Sequence, residues 1–268
     1  MPPTARPTVT AARTDELVPL RRASRDGPLI LSIHIPKTAG SRFGRILKAR
    51  YGDAFAYWYG PDDERTHPLA RVPVGRIDAD VIARLEAAGV RILHGHFKAN
   101  VLLRAVPDPS RYWIWLREPV EQTLSHYHFI LSYRRTGGPL FQKVHAEKLS
   151  LEEFAQLPQV RDIQARYCGN LPLERVGFVG VTELFGAMLP LIGLSDRPAA
   201  GNVNRAKPLV DVATRAKVVP HVAGDAAVYS LAMEMALRRL GVRDRGRGAV
   251  ARRLAEVAAF LRPGRHKR

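Results

Sequence analysis

The residues best suited to chemistry stand in segment 34–43, which reads HIPKTAGSRF. A predicted strand leads into it and a predicted helix follows, an arrangement that gathers backbone amides around an anion. Gly40 permits close backbone approach, Lys37 supplies a positive charge, and Thr38 and Ser41 supply hydroxyl donors. The glycines of a Walker A loop precede its lysine, whereas here the lysine comes first. From spacing alone, the alternatives are an anion-binding loop of another kind or an ordinary turn with a solvated lysine.

Two further groups of polar residues stand where predicted strands end. Arg117 closes the strand 111–117, at the edge where ligands bind in open α/β sheets, and its forked guanidinium suits phosphate. His94 and His96 lie at the end of the strand 90–97. Residues two apart in a strand point the same way, unless Gly95 between them breaks that rule. An imidazole titrates near neutral pH, so either histidine could accept a proton from a reacting hydroxyl.

Apolar runs alternate with amphipathic helical segments along the chain, which predicts an α/β fold with a central, mainly parallel sheet flanked by helices. Residues 53–75 are predicted to be a loop, and Ser150 and Thr182 are predicted helix caps. Trp113 and Trp115 are predicted to lie in the core. Strands are predicted at 29–35, 90–97, 111–117 and 175–181, and helices at 41–52, 78–89, 118–135, 149–157, 182–194 and 224–241.

The chain has 268 residues and a net charge of +17, which indicates anionic partners. From Arg238 to Arg268 there are 11 basic and two acidic residues, so much of this charge lies in the C-terminal segment. We predict a flexible N-terminal arm over 1–27, one domain over 28–241, and a basic C-terminal helix and tail over 242–268. The tail is either a solvated amphipathic helix or a contact for an anionic surface.

Several protein classes are disfavoured by composition. No run of about 18 apolar residues is present, so no membrane span is predicted, and the N-terminus does not resemble a secretory signal. We therefore expect a cytoplasmic protein. The one cysteine, Cys168, cannot form an internal disulfide or a paired-cysteine metal site, and we expect it to be buried or half-buried. No metal is predicted.

Segment 34–43 resembles the phosphosulfate-binding loop of sulfotransferases, most closely the carbohydrate group, whose loop reads PKTGG or PKTGA before Ser or Thr. Segment 115–129, WLREPVEQTLSHYHF, resembles the 3′-phosphate motif of that family, with a serine eight residues after the arginine. Weaker similarity occurs at HGHF, FVGVTELF and NVNRAKP, in the order of the family and across about residues 29–208. The chain thus resembles a bacterial member of the sulfotransferase family 2 superfamily, with its P-loop-like fold.

The resemblance implies transfer of a sulfonyl group from 3′-phosphoadenosine 5′-phosphosulfate (PAPS) to a hydroxyl acceptor, expected to be a carbohydrate or other small or glycosylated metabolite. His96 would be the general base, His94 its neighbour, and Lys37 the cation at the bridging oxygen. No nucleic-acid partner is implied, and the identity of the acceptor and the oligomeric state are left open. The implied cofactor-binding residues are Pro36, Lys37, Thr38, Ala39, Gly40, Ser41, Arg42, Arg117, Ser125, Asn204 and Arg205.

Two positions depart from the family pattern. Gln122 stands where the family usually has Arg or Lys, and Arg42 stands where the loop usually has Ser or Thr. If His96 is not the base, His126, His128 or Glu118 is the next candidate. His34 falls inside a predicted buried strand and is expected to be structural.

Two other functions fit parts of the sequence. A nucleotide-dependent kinase would need a Walker A loop and a magnesium-binding aspartate after a strand, and the third predicted strand ends in Arg117 instead. A non-enzymatic basic module could bind an anion such as nucleic acid through the tail, but no recognised nucleic-acid motif supports it.

Overall fold

A parallel sheet forms the centre of the protein. The structure is a computed structural model, and it describes residues 17–24, 26–133, 138–195 and 210–242. Within these residues five strands pair in parallel in the order β2-β3-β1-β4-β5. This sheet, flanked by helices, confirms the predicted α/β class. The strands are β1 Ile30–Ile33, β2 Phe55–Trp58, β3 Ile92–Gly95, β4 Tyr112–Leu116 and β5 Phe178–Val181.

Helices connect and cover the strands, and short 3₁₀ turns join several of them. Ser150 caps its helix through a reciprocal capping box with Glu153, as the sequence predicts. No helix in the described ranges has both the length and the apolar character needed to cross a membrane. The helices are α1 Gly40–Tyr51, α2 Ala79–Ala87, α3 Ala99–Leu102, α4 Pro119–Ser132, α5 Pro139–Ala146, α6 Leu151–Gln156, α7 Ile163–Cys168, α8 Phe185–Met188, α9 Val212–Val218 and α10 Ala223–Arg239.

The hydrophobic core is formed by the buried strands of the sheet and the helices that pack on it. The strands β1, β3, β4 and β5 are buried along their full length, as expected where both faces of a parallel sheet are covered. Phe43 of α1 packs across the sheet against Trp113 and Trp115, with ring centroids 6.2 and 5.4 Å away. Both tryptophans and Cys168 are buried, which confirms their predicted place in the core.

The prediction that 53–75 is entirely loop is wrong, because this segment contains β2. The strand is only four residues long, carries no β-branched residue, and is followed by the turn-forming sequence GPDD. Its stability therefore comes from pairing with β3, where Phe55 lies opposite Ile92. That pairing joins residues far apart in sequence, so local pattern gives little sign of it.

The predicted helix 182–194 is also corrected. It consists of a 3₁₀ turn, the single-turn helix α8 and a second 3₁₀ turn. Gly186 and Pro190 interrupt a longer helix, since glycine weakens one and proline lacks an amide hydrogen. Thr182 is not the predicted cap, because its hydroxyl donates to the Leu116 carbonyl at 2.9 Å and ties the segment to β4.

Part of the predicted N-terminal arm is attached to the domain. Leu17 and Leu20 pack against the core, and the Arg21 amide donates to the Gly177 carbonyl at 3.0 Å. The Trp113 indole in turn donates to the Arg21 carbonyl. The predicted domain boundaries remain predictions, and the predicted amphipathic helix at 247–262 lies outside the described residues.

Strand order places a crevice between β1 and β4. The chain leaves β1 toward β2 and β3 on one side of the sheet, and leaves β4 toward β5 on the other. Connections that depart in opposite directions open a crevice at the carboxyl ends of the two strands, where open α/β sheets bind ligands. The loop after β1 and Arg117 after β4 both lie at this crevice.

Gly95 tests the close packing at the end of β3. A Cβ there would lie 1.8 Å from the Trp58 carbonyl oxygen, whereas a Cβ at Gly186 would have no heavy atom within 4 Å. Gly95→Ala should lower the free energy of unfolding by about 2–4 kcal/mol. Gly186→Ala should leave it unchanged or raise it by about 0.5 kcal/mol. Urea unfolding measures both variants, and equal stability of the two would contradict this packing.

Candidate functional site

The loop between β1 and α1 has an unusual backbone. Lys37 and Ala39 both have left-handed conformations, with φ of 67° and 64°. Residues other than glycine rarely adopt this region, and each such residue costs about 1–2 kcal/mol. Left-handed residues in a short turn can direct nearby amides toward one side of the loop, which is one way an anion-binding concavity forms. The loop ends where α1 begins at Gly40, so the amides of the first helical turn adjoin it.

Gly40 is required by its neighbour His34. A Cβ at Gly40 would lie 1.9 Å from Cδ2 of the His34 imidazole, so only glycine lets the ring and the helix start approach this closely. The sequence assigns Gly40 to backbone approach toward a ligand. In the structure, its lack of a side chain also makes room for the histidine.

The other predicted loop residues differ in exposure. Thr38 is buried, and its hydroxyl donates to the Ile35 carbonyl at 3.1 Å, so it stabilises the turn. Ser41 and Arg42 are exposed on the first turn of α1, and the Arg42 guanidinium lies 5.0 Å from the Phe185 ring centroid. Pro36 is half-buried. Loop residues 36–42 thus combine backbone groups that shape the turn with side chains that face solvent.

Arg117 reaches the loop from the other side of the crevice. Its Nη1 donates to the Lys37 carbonyl at 3.1 Å, and its Nη2 lies 3.9 Å from the Glu121 carboxylate. The Gln164 side chain accepts from the Arg117 amide and donates to the Arg117 carbonyl, at 2.8 and 2.9 Å. These two hydrogen bonds to the backbone fix the position of the end of β4. Ser125, predicted to act with Arg117, is half-buried on the following helix α4.

Gln122 has a clear role despite its departure from the family pattern. Its Nε2 donates to the Pro36 carbonyl at 2.8 Å, which joins α4 to the loop. Its Oε1 is buried and has no hydrogen-bond partner among the described residues. A neutral amide therefore holds the loop backbone where a cation is usual in the family that the sequence resembles.

Lys37 lies over an aromatic ring of α4. Its Nζ is 4.1 Å from the Phe129 ring centroid, within the range of a cation–π interaction. Gln122, His126 and Phe129 are spaced by four and three residues, so they share one face of α4. Gln122 bonds the loop and Phe129 contacts Lys37, which shows that this face meets the loop.

Three histidines form a stack beside the loop. The His34 ring lies 5.0 Å from that of His94 and 4.2 Å from that of His96, with interplanar angles of 21° and 26°. Ser32 pairs with His94 in the register of β1 and β3, and its hydroxyl lies 2.8 Å from His94 Nδ1. His94 and His96 thus contact the same ring despite Gly95 between them. Tyr59, which the sequence does not single out, hydrogen-bonds His34 at 3.0 Å.

The hydrogen bonds of His96 define its tautomer. Nδ1 lies 2.6 Å from the His34 carbonyl oxygen, and because a carbonyl only accepts, Nδ1 must carry the proton. In the neutral ring Nε2 is then the nitrogen that can accept a proton. His96 is exposed as a residue, yet packing of its ring against His34 and Tyr59 shields the ring from part of the solvent and lowers its pKa below the usual 6.5. His96 is therefore neutral at neutral pH.

The other members of the stack are also neutral. Burial lowers the pKa of His94 to about 3, and burial followed by repulsion from His96 holds the pKa of His34 well below its usual value. His34 is buried, as expected of a structural residue, but its contacts with His94, His96 and Gly40 make it central to the site. One uncharged column of imidazoles thus stands beside the cationic Lys37.

The alternative bases have other surroundings. His126 is buried against Phe154, its Nδ1 has no partner within the described chain, and burial lowers its pKa to about 4. Glu118 accepts hydrogen bonds from the Val120 and Glu121 amides as the cap of α4, and burial raises its pKa. His128 is half-buried on α4. The predicted cofactor contacts Asn204 and Arg205 lie outside the described residues. His96 has the clearest proton-accepting geometry.

Comparisons with known proteins add no family assignment: no family model matches the chain, and no curated protein matches it significantly. Among the described residues, no three His, Cys, Asp or Glu side chains are arranged to bind a metal. The geometry of the crevice is therefore the basis for interpreting the site.

Stability should depend on pH through His94. Its folded pKa of about 3 lies below the unfolded value of about 6.5, so the unfolded chain binds more protons in between. This contribution is complete above about pH 6.5 and should fall by up to about 1.4 kcal/mol per pH unit as the pH drops toward 3. His94→Gln should lack this pH dependence, so the difference between the wild-type and variant free energies of unfolding, measured in urea, should shrink as the pH falls from 7 to 4.5. Parallel curves from pH 7 to 4.5 would contradict a buried, neutral His94.

Proposed function

We propose that this protein is a sulfotransferase that moves a sulfonyl group from PAPS to a hydroxyl acceptor. The supporting observation is the convergence of three elements at one crevice. They are the left-handed loop with Lys37, Arg117 bonded to that loop across the gap, and the neutral His96 with Nε2 as proton acceptor. In this proposal the protein is a cytoplasmic, bacterial enzyme, and its acceptor is a carbohydrate or another small or glycosylated metabolite.

Nucleotide binding would use both sides of the crevice. The loop amides, with the exposed hydroxyl of Ser41, would hold the 5′-phosphate and sulfonate. Arg117 and Ser125 would bind the 3′-phosphate, since a guanidinium fork matches phosphate oxygens. The hydrogen bond from Arg117 to the Lys37 carbonyl would set the spacing between these two proposed anion sites. Arg42, Asn204 and Arg205 are further proposed contacts.

Transfer would proceed in line. A lone pair of the acceptor oxygen forms the new O–S bond while the bond between sulfur and the bridging oxygen breaks. The electron pair leaves with 3′-phosphoadenosine 5′-phosphate (PAP), and Lys37 stabilises the charge that develops on that oxygen. His96 Nε2 takes the hydroxyl proton. The neutral tautomer fixed by the His34 carbonyl has the acceptor nitrogen needed for this step.

The kinase alternative has less support from the site. Phosphoryl transfer by P-loop enzymes uses a magnesium-binding carboxylate near the phosphates. Glu118, the first residue after Arg117, already accepts two amide hydrogen bonds as a helix cap. The end of β4 thus offers a cation to a nucleotide, while the carboxylates of Glu118 and Glu121 beside it already have partners.

Cofactor choice can be tested by thermal stabilisation. PAP should raise the melting temperature of the full chain, and ATP with magnesium should raise it less, because Arg117 suits a 3′-phosphate that ATP lacks. Arg117→Ala should remove most of the PAP effect. Arg104→Ala, at an exposed arginine near α3, is the matched control and should retain it. Equal stabilisation by ATP would favour the kinase, and no stabilisation by either would count against a nucleotide site.

The general base can be tested by the pH profile of turnover. Since the pKa of His96 is lowered, the rate should rise with pH along a limb centred below pH 6.5 and then level off. His96→Gln should lose that limb and lower turnover by about two to four orders of magnitude while PAP binding persists. His94→Gln should cost less and keep the limb, because His94 titrates near pH 3. An unchanged limb in His96→Gln would assign the base elsewhere.

A further inference from the structure

A cluster of exposed aromatic rings adjoins the crevice. Phe129 and Tyr133 at the end of α4 are 37% and 46% exposed, which is high for such large side chains. Their rings contact each other and that of Phe141 on α5, with centroids 5.5, 6.0 and 5.6 Å apart. We call Phe129, Tyr133 and Phe141 the aromatic platform.

The platform begins at the lysine of the loop. Lys37 Nζ lies 4.1 Å from the Phe129 ring centroid. If Lys37 holds the bridging oxygen, the sulfur is the next atom, and the acceptor oxygen must come within about 3–3.5 Å of it. Whatever carries that oxygen therefore extends beside Phe129, and the surface available there is a set of ring faces.

Two cations among the described residues around the site have acidic partners. Arg65 forms two hydrogen bonds to the Asp63 carboxylate, at 2.9 and 2.6 Å, and stacks over Tyr59 beside His96. Lys143, on the same helix as Phe141, donates to Glu147 at 2.6 and 2.8 Å. Despite the net charge of +17, Arg65 and Lys143 are thus engaged by carboxylates in the described part of the chain. A polyanionic acceptor would have to compete with them, whereas an uncharged ring would not.

We infer that the aromatic platform binds the acceptor, and that the acceptor is an uncharged hydroxyl compound with an apolar or aromatic ring. This inference rests on the proposed function. The rings would hold the ring face of the acceptor by stacking and burial, with its hydroxyl directed toward Lys37 and His96. Apolar contact of this kind also explains why two rings of this size, Phe129 and Tyr133, remain exposed at the end of α4.

The test uses 2-naphthol as a neutral aromatic probe, titrated by fluorescence into the full chain both without PAP and with excess PAP. Tyr133→Ser and Phe141→Ser should each weaken binding about threefold to tenfold, the size expected for loss of one aromatic contact. Leu131→Ser is the matched control, because Leu131 is 43% exposed on α4 but outside the ring cluster. It should bind 2-naphthol as the wild type does, and PAP should stabilise all four proteins equally.

Three results would overturn the inference. They are wild-type affinity for 2-naphthol in both ring variants, an equal loss in Leu131→Ser, and tighter binding of a uronic-acid disaccharide than of 2-naphthol. The PAP measurement separates this inference from the proposed function. If PAP fails to stabilise the chain but the ring variants still lose 2-naphthol, the platform stands and the sulfotransferase proposal fails. If PAP binds and the ring variants behave as wild type, the inference about the platform fails and the sulfotransferase proposal stands.

Discussion

The left-handed backbone at Lys37 and Ala39 is the constraint on which the rest of the site depends. Two such residues in one short loop are unfavourable alone, so surrounding contacts must hold them. Gln122 bonds the carbonyl before Lys37, and Arg117 bonds the carbonyl of Lys37 itself. Gly40 admits the His34 ring behind the loop. Contacts from three directions thus maintain a backbone whose amides can converge on an anion.

Those contacts are supported by a second layer of structure. Gln164 fixes the backbone of Arg117 and stands near the start of α7. The amide of Ala165 donates to Asp225, while the amides of Gly224 and Asp225 donate to Asp162. The starts of α7 and α10 therefore cap one another. This exchange links the C-terminal part of the described domain to the position of Arg117.

Local sequence was sufficient for the parts of the site that follow directly from strand ends. Arg117, the loop after β1 and the two histidines at the end of β3 lie where the alternation of strands and helices predicts. The contacts between them were not predictable in this way. Arg117 and Lys37 are 80 residues apart, and Arg117 and Gln164 are 47 apart. Strand β2 and the contact of Tyr59 were not predicted. Pairing with β3, rather than local propensity, determines the conformation of that segment.

The role of His34 also became clear only from the structure. A histidine inside an apolar strand suggests a structural residue, and burial agrees with that interpretation. Its carbonyl, however, fixes the tautomer of His96, and its ring joins His94 to His96. One residue therefore couples the shape of the loop, through Gly40, to the protonation of the proposed base.

The most direct test of the central claim is sulfonyl transfer itself. The full chain is incubated with PAPS and a panel of hydroxyl acceptors that includes neutral aromatic, neutral sugar and acidic glycan members. Mass spectrometry then detects products that have gained one sulfonyl group. The account predicts a PAPS-dependent product with the wild type and a loss of about a hundredfold or more in Lys37→Ala. Transfer by Lys37→Ala at the wild-type rate would contradict it, as would the absence of any sulfonated product from a chain that binds PAP.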